Sequence, residues 1–244
     1  MTKQPHLKID SIGKYVLLPG DPARIDKILK FAENQREVMF NREFRIAKAD
    51  YKGIEVSAVS TGIGCPSAAI AIEELAKIGM KTAIRVGTCG GLLEEMQPGD
   101  IVIPTAAFCG EGTTKEYEKN IEIVEAEEKV VEALKKAAEN LGIKYFTGIN
   151  RTHDAFYEPT ENFVELEGKG FVSSEMECSA VFLVSKLRGI SAGAILVVNT
   201  PEPPELVKKN PDIIYQLIDK SKVERGIDNA SRIALKAIKI LEEK

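Results

Sequence analysis

Apolar residues follow two different periods along most of this chain. Short runs rich in β-branched residues, such as Tyr15–Leu18 and Ala192–Val198, predict buried strands. Longer stretches repeat apolar residues every three or four positions, as in Cys178–Leu187 and the C-terminal run Lys222–Glu242, and predict helices with one buried face. Since the two patterns alternate, we expect a mostly parallel sheet covered by helices on both faces.

The other predicted elements continue this alternation. The predicted strands are Ile54–Ser60, Thr82–Val86, Asp100–Pro104, Tyr145–Ile149 and Phe171–Ser174, and the predicted helices are Ala23–Phe31, Ser67–Ile78 and one defined by Val130, Leu134, Ala137, Ala138 and Leu141. No internal repeat, low-complexity segment or long linker interrupts the pattern. The sequence therefore predicts a single α/β domain over residues 1–244.

Composition excludes several classes of partner. The 33 Lys and Arg against 37 Asp and Glu give a net charge of -4 without a basic block, so we expect no nucleic-acid partner. The apolar runs fall far short of the ~20 residues that cross a bilayer, and Met1–Ile12 lacks the apolar core of a signal peptide. We expect no membrane partner, a cytoplasmic location and four reduced cysteines, because no C-x-x-C pair occurs.

Glycine-rich segments follow two predicted strands. Thr61–Gly64 follows Ile54–Ser60, and Gly87–Gly91 is predicted to be a turn that ends Thr82–Val86. Ligands of open α/β sheets bind beyond the carboxyl ends of the strands. Neither segment matches the dinucleotide fingerprint or the Walker phosphate loop. Exposed backbone N–H groups remain, and these can hold a small anion when a cation lies beside them.

Three arginines near strand ends are candidates for that cation. An arginine fork can bind two oxygens of a phosphate at once. Arg24, Arg42 and Arg85 taken singly are ordinary surface residues, but two of them adjoin glycine turns, which favours a phosphate or carboxylate pocket.

Glu175 and Glu177 lie at a predicted strand-to-helix junction. Acids there usually compensate the helix dipole, but one that faces a pocket can accept hydrogen bonds from a sugar diol.

Six motifs stand out along the chain: Gly20–Arg24, Asn41–Phe44, Ser60–Gly64 with Glu73–Ala76, Arg85–Thr88, Asp154–Tyr157 and Glu175–Glu177. They occur in the order seen in the nucleoside phosphorylase family, and the chain most resembles its uridine phosphorylase branch. The match runs from about His6 to Asn199, and six motifs in one order are not expected by chance. The resemblance implies a mixed, mostly parallel sheet in one α/β domain, and a hexamer built of dimers.

The resemblance also implies roles for individual residues. Phosphate would be bound by Gly20, Arg24, Arg85 and Thr88, with Arg42 reaching in from the dimer neighbour. Ribose would be bound by Met176, Glu177 and the neighbour's equivalent of His6, and Phe156 would line the base pocket. Arg85 and Glu177 would carry catalysis. Phosphate is then a co-substrate, and the resemblance implies no organic cofactor.

A cation site is implied as well. Glu43, Ile63 and Ser67 match positions that hold a monovalent cation, such as K⁺, at the dimer interface of some uridine phosphorylases.

The base pocket is where the sequence departs from its relatives. Purine-cleaving members of the bacterial hexameric type place an aspartate where Val197–Thr200 stands, and its absence favours a pyrimidine. Uridine phosphorylases place a glutamine and an arginine after the Phe-Tyr pair, where the nearest candidates here are Thr160 and Asn162. Asn162 offers a donor and an acceptor but no positive charge.

The expected reaction is the reversible phosphorolysis of uridine to uracil and ribose 1-phosphate. A purine nucleoside or methylthioadenosine phosphorylase is the alternative. A nucleosidase, in which water replaces phosphate, and a non-catalytic nucleoside-binding protein remain open as further alternatives.

Overall fold

One mixed sheet organises the computed structural model, which describes residues 4–157, 168–210 and 217–243. Its strands are β1 Tyr15–Leu18, β2 Glu33–Asn41, β3 Phe44–Tyr51, β4 Ile54–Val59, β5 Thr82–Gly91, β6 Ile101–Cys109, β7 Ile123–Glu125, β8 Tyr145–Thr152, β9 Phe171–Glu175 and β10 Ser191–Pro201. The described helices are α1 Arg24–Leu29, α2 Cys65–Lys77, α3 Thr113–Tyr117, α4 Glu128–Asn140, α5 Cys178–Leu187, α6 Pro204–Lys209 and α7 Lys220–Glu242.

Strand β5 is the centre of the sheet. It pairs in parallel with β10 along its whole length and with β1 over its first four residues, while its last two residues pair antiparallel with β9. The order β10-β6-β8-β9 leads back to β5, so these five strands close on themselves, and β1, β4, β3 and β2 extend outward as an open arm. The predicted mixed sheet is confirmed.

Helices flank this sheet, as predicted. α2 packs against α5, and α4 packs against α7, which also contacts β10. The predicted apolar stripe of α7 is buried, with Ile227, Ala230, Ile233 and Ala234 each at most 6% exposed. Burial of such stripes is the main source of helix stability in proteins.

The prediction that Gly87–Gly91 forms a turn is wrong, because β5 continues through it to Gly91. Each glycine lies under a side chain that crosses the strand. A Cβ at Gly87 would lie 2.8 Å from Arg85 Cζ, and one at Gly91 would lie 2.9 Å from Met96 Sδ. These glycines therefore make room for side chains within a paired strand and do not end it.

The hairpin of β2 and β3 was not predicted from the sequence. Nearly every side chain of β2 is exposed, so its polar sequence lacks the alternation that marks a half-buried strand. Its backbone pairs antiparallel with β3. Arg42 occupies the connecting turn with a φ of 56°, in the left-handed region that residues with side chains seldom adopt.

Two sequence expectations concern features outside the sheet. No helix in the described part of the chain is long and apolar enough to cross a bilayer. Cys65, Cys89, Cys109 and Cys178 are buried and free, as expected for reduced thiols.

Candidate active site

Three strand ends meet on one side of the sheet. The segment after β1 and the segment after β4 are joined by backbone hydrogen bonds, from Thr61 N to Pro19 O at 2.9 Å and from Gly62 N to Gly20 O at 3.0 Å. A Cβ on Gly20 would lie 3.1 Å from Gly62 O, so glycine permits this close approach. The end of β9 joins the group through Gly64 N, which donates to Glu177 Oε1 at 2.6 Å.

Arg85, on β5, is the buried cation of this site. Its Nε donates to Glu175 Oε2 at 2.9 Å, and its Nη2 pairs with Glu177 Oε2. The residue is only 4% exposed. Burial alone lowers the pKa of Arg85, but the Glu177 and Glu175 carboxylates outweigh it, and the pKa lies above its ordinary value. The guanidinium is therefore permanently charged.

Glu175 is surrounded by donors. Its carboxylate accepts hydrogen bonds from Asn150 Nδ2 at 2.7 Å, Thr152 Oγ1 at 2.8 Å, Glu177 N at 2.8 Å, Arg85 Nε at 2.9 Å and Cys178 N at 3.0 Å. Burial raises the pKa of this carboxyl, but Arg85 and the two backbone N–H groups overcome that effect and hold it below its ordinary value. The sequence hinted at a polar role for Glu175 but not at this number of donors.

Glu177 has fewer partners. Besides Arg85, the partner of its carboxylate is the N–H of Gly64. Burial raises the pKa of Glu177, Arg85 opposes the rise, and the negative charge of Glu175 adds to it, so the pKa lies above its ordinary value. Among the described residues, the carboxylate of Glu177 has fewer donors than that of Glu175, so it can accept hydrogen bonds from a ligand.

Arg24 brings a second guanidinium to the same place. Burial lowers its pKa and the positive charge of Arg85 lowers it further, while Asp21 and Glu177 raise it. Two guanidiniums that repel each other beside a glycine turn are an arrangement that a bound anion relieves. Thr88, half-buried on β5, lies three residues beyond Arg85 along the same strand.

Arg42 and His6 are far apart in sequence but close together in the fold. Arg42 is exposed at the tip of the β2–β3 hairpin, and its neighbour Asn41 donates through Nδ2 to His6 O at 3.0 Å. His6 Nδ1 lies 2.7 Å from Glu74 Oε1, and Leu7 N donates to Glu74 Oε2 at 2.7 Å. The two residues that the resemblance assigns to a neighbouring subunit therefore share one face.

The predicted cation ligands are brought together in part. Ser67 Oγ lies 2.9 Å from Glu43 Oε1 and also contacts the carbonyl oxygen of Thr61. Ile63 lies two residues after Thr61 and four before Ser67, and its side chain is 80% exposed. In the described residues no cluster of three or more His, Cys, Asp or Glu side chains is arranged to bind a metal ion.

The remaining predicted site residues are the ribose residue Met176 and the base contacts Phe156, Thr160 and Asn162. Met176 lies between the two glutamates, and its carbonyl oxygen accepts from Cys65 Sγ at 3.2 Å. Phe156 is 70% exposed and packs edge-on against Tyr157, at 5.1 Å between ring centroids. Thr160 and Asn162 lie outside the described residues.

Two charged residues near this region were not singled out from the sequence. Arg151, on β8, is 8% exposed and donates through Nη1 to Ser174 Oγ at 3.4 Å. Glu202, just after β10, lies with its carboxylate against Gly90. Alternation along β8 placed Arg151 on a strand only if the strand extended beyond Ile149, and the sequence pattern ended it there.

A closed mixed sheet thus brings a buried guanidinium and the Glu177 carboxylate together at its strand ends in an α/β fold. The model of the phosphorylase superfamily matches residues 14–239, and the chain belongs to that family. It is an enzyme of the nucleoside phosphorylase type, a pentosyltransferase.

Individual relatives cover most of the chain. It is 36% identical to the guanosine phosphorylase of Halorubrum lacusprofundi over 99% of this chain and 100% of that one. It is 40% identical to the uridine phosphorylase of Thermococcus kodakarensis over 78% of this chain and 74% of that one. The crystal structure of uridine phosphorylase from Vibrio fischeri matches with a TM-score of 0.88 and 31% identity, covering 98% of both chains.

Proposed function

We propose that the protein catalyses the reversible phosphorolysis of uridine. The observation that carries this proposal is the ion pair between the buried Arg85 guanidinium and the Glu177 carboxylate, with the Arg24 guanidinium within electrostatic range of both. The arginines bind inorganic phosphate, with the backbone at Gly20 and the hydroxyl of Thr88 as further donors. Glu177 then accepts hydrogen bonds from the ribose hydroxyls, and Met176 packs against the sugar.

The chemistry follows from these positions. As the bond between C1′ and the base nitrogen breaks, positive charge develops on the ribose, and a phosphate dianion held below C1′ stabilises it. A phosphate oxygen forms the new bond to C1′, and the proton of hydrogen phosphate passes to the departing base. The products are the free base and ribose 1-phosphate. Fixing both reactants at near-attack distance supplies several kcal/mol of the required barrier reduction.

We propose a phosphorylase rather than a nucleosidase because the site suits phosphate as the nucleophile better than water. Two guanidiniums placed beside the carboxylate would serve no purpose for a neutral water nucleophile, whereas they match the charge and oxygen geometry of a phosphate dianion.

Uridine is favoured because Val197–Thr200 lacks the aspartate of bacterial purine-cleaving enzymes, and because a 40% identical relative is a uridine phosphorylase. Guanosine is the second candidate. It is supported by the Halorubrum relative, which aligns with 99% of this chain, and by two charged residues: Arg151, whose Nη1 donates to Ser174 Oγ, and Glu202, whose carboxylate lies against Gly90. Phe156 is proposed to cover the base in either case.

A shared active site is part of the proposal. Arg42 and His6 lie on one face with exposed apolar side chains, among them Phe40 at 58% and Ile63 at 80% exposure. Exposed apolar patches of this kind mark subunit interfaces. We propose that this face meets a second copy, places Arg42 at its phosphate and His6 at its ribose, and that such dimers assemble into a hexamer.

The dimer face would also hold a monovalent cation. The Glu43 carboxylate, the Ser67 hydroxyl and the Thr61 carbonyl place three oxygens in contact, and one hydroxyl proton serves two acceptors there. Oxygen donors of this kind suit K⁺. Glu43, Ser67 and the backbone of Ile63 would be its ligands, and its charge would draw the two copies together.

The test is a panel of uridine, guanosine, inosine, adenosine, cytidine and methylthioadenosine, assayed with and without phosphate. We expect base release that requires phosphate and yields ribose 1-phosphate, fastest with uridine. Release at equal rates without phosphate would indicate a nucleosidase. Tight nucleoside binding without turnover at any phosphate concentration would indicate a binding protein.

Subunit sharing has its own test. Arg42→Ala and Glu177→Gln inactivate different halves of a shared site, so mixing the two variants should restore activity when subunits exchange. Exchange is followed by native mass spectrometry of differently labelled subunits. Demonstrated exchange without recovered activity would show that Arg42 does not act across the interface.

A further inference from the structure

The carboxylate of Glu202 lies flat against the backbone of β5. A Cβ built on Gly90 would lie 2.1 Å from Glu202 Oε2 and 3.1 Å from Oε1, so only glycine leaves this place open. The Glu202 backbone is fixed as well, because its N–H donates to Gly91 O at 2.6 Å. The fold therefore fixes both the backbone of Glu202 and the position of its carboxylate.

Glu202 shares a face of the sheet with other polar groups. Gly90 pairs with Ser174 of β9 and with Thr200 of β10. Side chains of directly paired residues project to the same face, and residues two apart on a strand do so too. The Gly90 face is therefore also the face of Ser174 and of Thr88, and Ser174 Oγ accepts from Arg151 Nη1.

This face also carries a proposed phosphate ligand, because Thr88 lies two residues before Gly90 on β5. Ser174 is the last residue but one of β9, and Glu177 follows the end of that strand by two residues. Charge supports the same proximity: burial raises the pKa of the Cys89 thiol, Glu175 and Glu202 raise it further, and Arg85 lowers it. Cys89 thus lies within electrostatic range of Glu175, of Glu202 and of the proposed phosphate ligand Arg85.

We propose that Glu202 selects the base, by accepting a hydrogen bond from a ring N–H at its edge. This inference rests on the proposed function. A carboxylate has acceptors only, so it matches bases whose ring nitrogen carries hydrogen: uracil at N3, and hypoxanthine or guanine at N1. Guanine offers its exocyclic amine as a second donor to the other oxygen. Adenine and cytosine present a ring-nitrogen lone pair at this edge, which a carboxylate repels.

Arg151 completes the pattern of charge. Its guanidinium, held at Ser174, is a donor on the face where Glu202 is an acceptor. The oxo groups of uracil and guanine next to the ring N–H are acceptors. A base with an oxo group beside a ring N–H therefore matches a site with one cation and one anion, whereas an amino group beside a ring lone pair mismatches both.

The experiment compares wild type with Glu202→Gln and Glu202→Ala on uridine, guanosine, cytidine and adenosine. We expect Glu202→Ala to lower kcat/KM for uridine and guanosine by about 10- to 100-fold, the cost of a lost base-edge contact. Glu202→Gln should shift the ratio toward cytidine and adenosine, because a carboxamide can donate to the ring nitrogen. The matched control is Glu205→Gln, on the exposed start of α6, which should leave all ratios unchanged.

Two further measurements separate the possible failures. 3-Methyluridine and 1-methylguanosine lack the ring N–H, so wild type should bind them far more weakly than the parent nucleosides, and Glu202→Ala should narrow that difference in affinity.

Calorimetric affinity is measured beside turnover, and the phosphate KM of each variant should match wild type. Absence of phosphate-dependent turnover in wild type would overturn the proposed function alone, since binding still tests Glu202. Turnover with unchanged base ratios in Glu202→Gln would overturn the inference alone.

Discussion

The carboxylates of Glu175 and Glu177, two residues apart at the end of β9, lie in two neighbouring regions with different surroundings. The region behind the strand end surrounds Glu175 with five donors from its own chain. The region at the strand end gives Glu177 the Gly64 N–H and the Arg85 guanidinium. The pKa of Glu175 is lowered and that of Glu177 is raised, although both side chains are buried.

The difference teaches that burial alone does not decide what a carboxylate does. Where the fold supplies enough hydrogen-bond donors, the charged carboxylate helps to stabilise the fold. Where the fold supplies few, the charge is held at a free-energy cost that a ligand with hydroxyl groups can recover. Arg85 serves both regions, and substitutions on either side of it should separate stability from activity.

The largest expected effect is on stability. Glu175→Ala leaves Arg85 without one of its two anions and two backbone N–H groups without an acceptor, so we expect a loss of about 3–5 kcal/mol in the free energy of unfolding. Urea denaturation followed by circular dichroism measures it. Glu177→Ala should cost clearly less, and equal losses for the two variants would contradict the comparison.

The second effect is on catalysis. Glu177→Gln keeps an oxygen for the Gly64 N–H but removes the charge that faces the sugar, so we expect kcat to fall by about 10²–10³-fold. Steady-state kinetics with saturating phosphate measures it, and an unchanged thermal unfolding midpoint shows that the fold is intact. Kinetics like those of wild type would remove Glu177 from the active site.

A third, smaller effect concerns phosphate. Arg24→Ala removes one of two guanidiniums beside Gly20, so we expect the phosphate KM to rise by about tenfold, or roughly 1.4 kcal/mol. The nucleoside KM should change little. Arg36→Ala is the matched control, since Arg36 is exposed and pairs with Glu55 on the outer arm of the sheet. A phosphate KM equally raised in both variants would point to general charge and not to this site.

The smallest effect concerns pH. Only the ionised form of Glu177 accepts both ribose hydrogen bonds, so kcat/KM should fall as pH drops through its raised pKa, above the ordinary value of 4.5. The pKa of Glu175 is shifted in the opposite direction: its lowered pKa adds stability above the unfolded-state value, and this stability is lost only as pH falls through the folded-state pKa. Profiles of kcat/KM and of unfolding free energy against pH check both. An acidic limb that persists in Glu177→Gln belongs to another group.

Much of the fold was predictable, because its helices and inner strands bury regular apolar patterns. The stripe of α7 and the strand Tyr15–Leu18 are examples, and both are confirmed. The hairpin of β2 and β3 was not predictable from periodicity, since β2 is held by backbone pairing and buries little. The misread Gly90 of β5 shows the same limit, because the side chain that requires glycine there comes from a distant position, Glu202.

The site divides along similar lines. Local pattern made Arg24 and Arg85 candidates, and the family resemblance gave these two and Glu177 their roles; the structure pairs Arg85 with Glu177 and places Arg24 within electrostatic range of both. Glu202 carried no such signal, since nothing local distinguishes it from any acid in a proline-rich turn. Its significance depends on Gly90, more than a hundred residues earlier, and only the pairing of β5 with β10 connects the two.

Helix α2 supports two distant anchor points at once. Gly64, at its beginning, contacts Glu177, and Glu74, in its third turn, fastens the N-terminal segment through the backbone N–H groups of His6 and Leu7. Gly64 and Glu74 are ten residues apart, which is about 15 Å along a helix. We therefore expect a displacement of Glu177 to move the segment at His6 and Leu7 as well, and crystals grown with and without nucleoside should show both ends of α2 displaced as one rigid body.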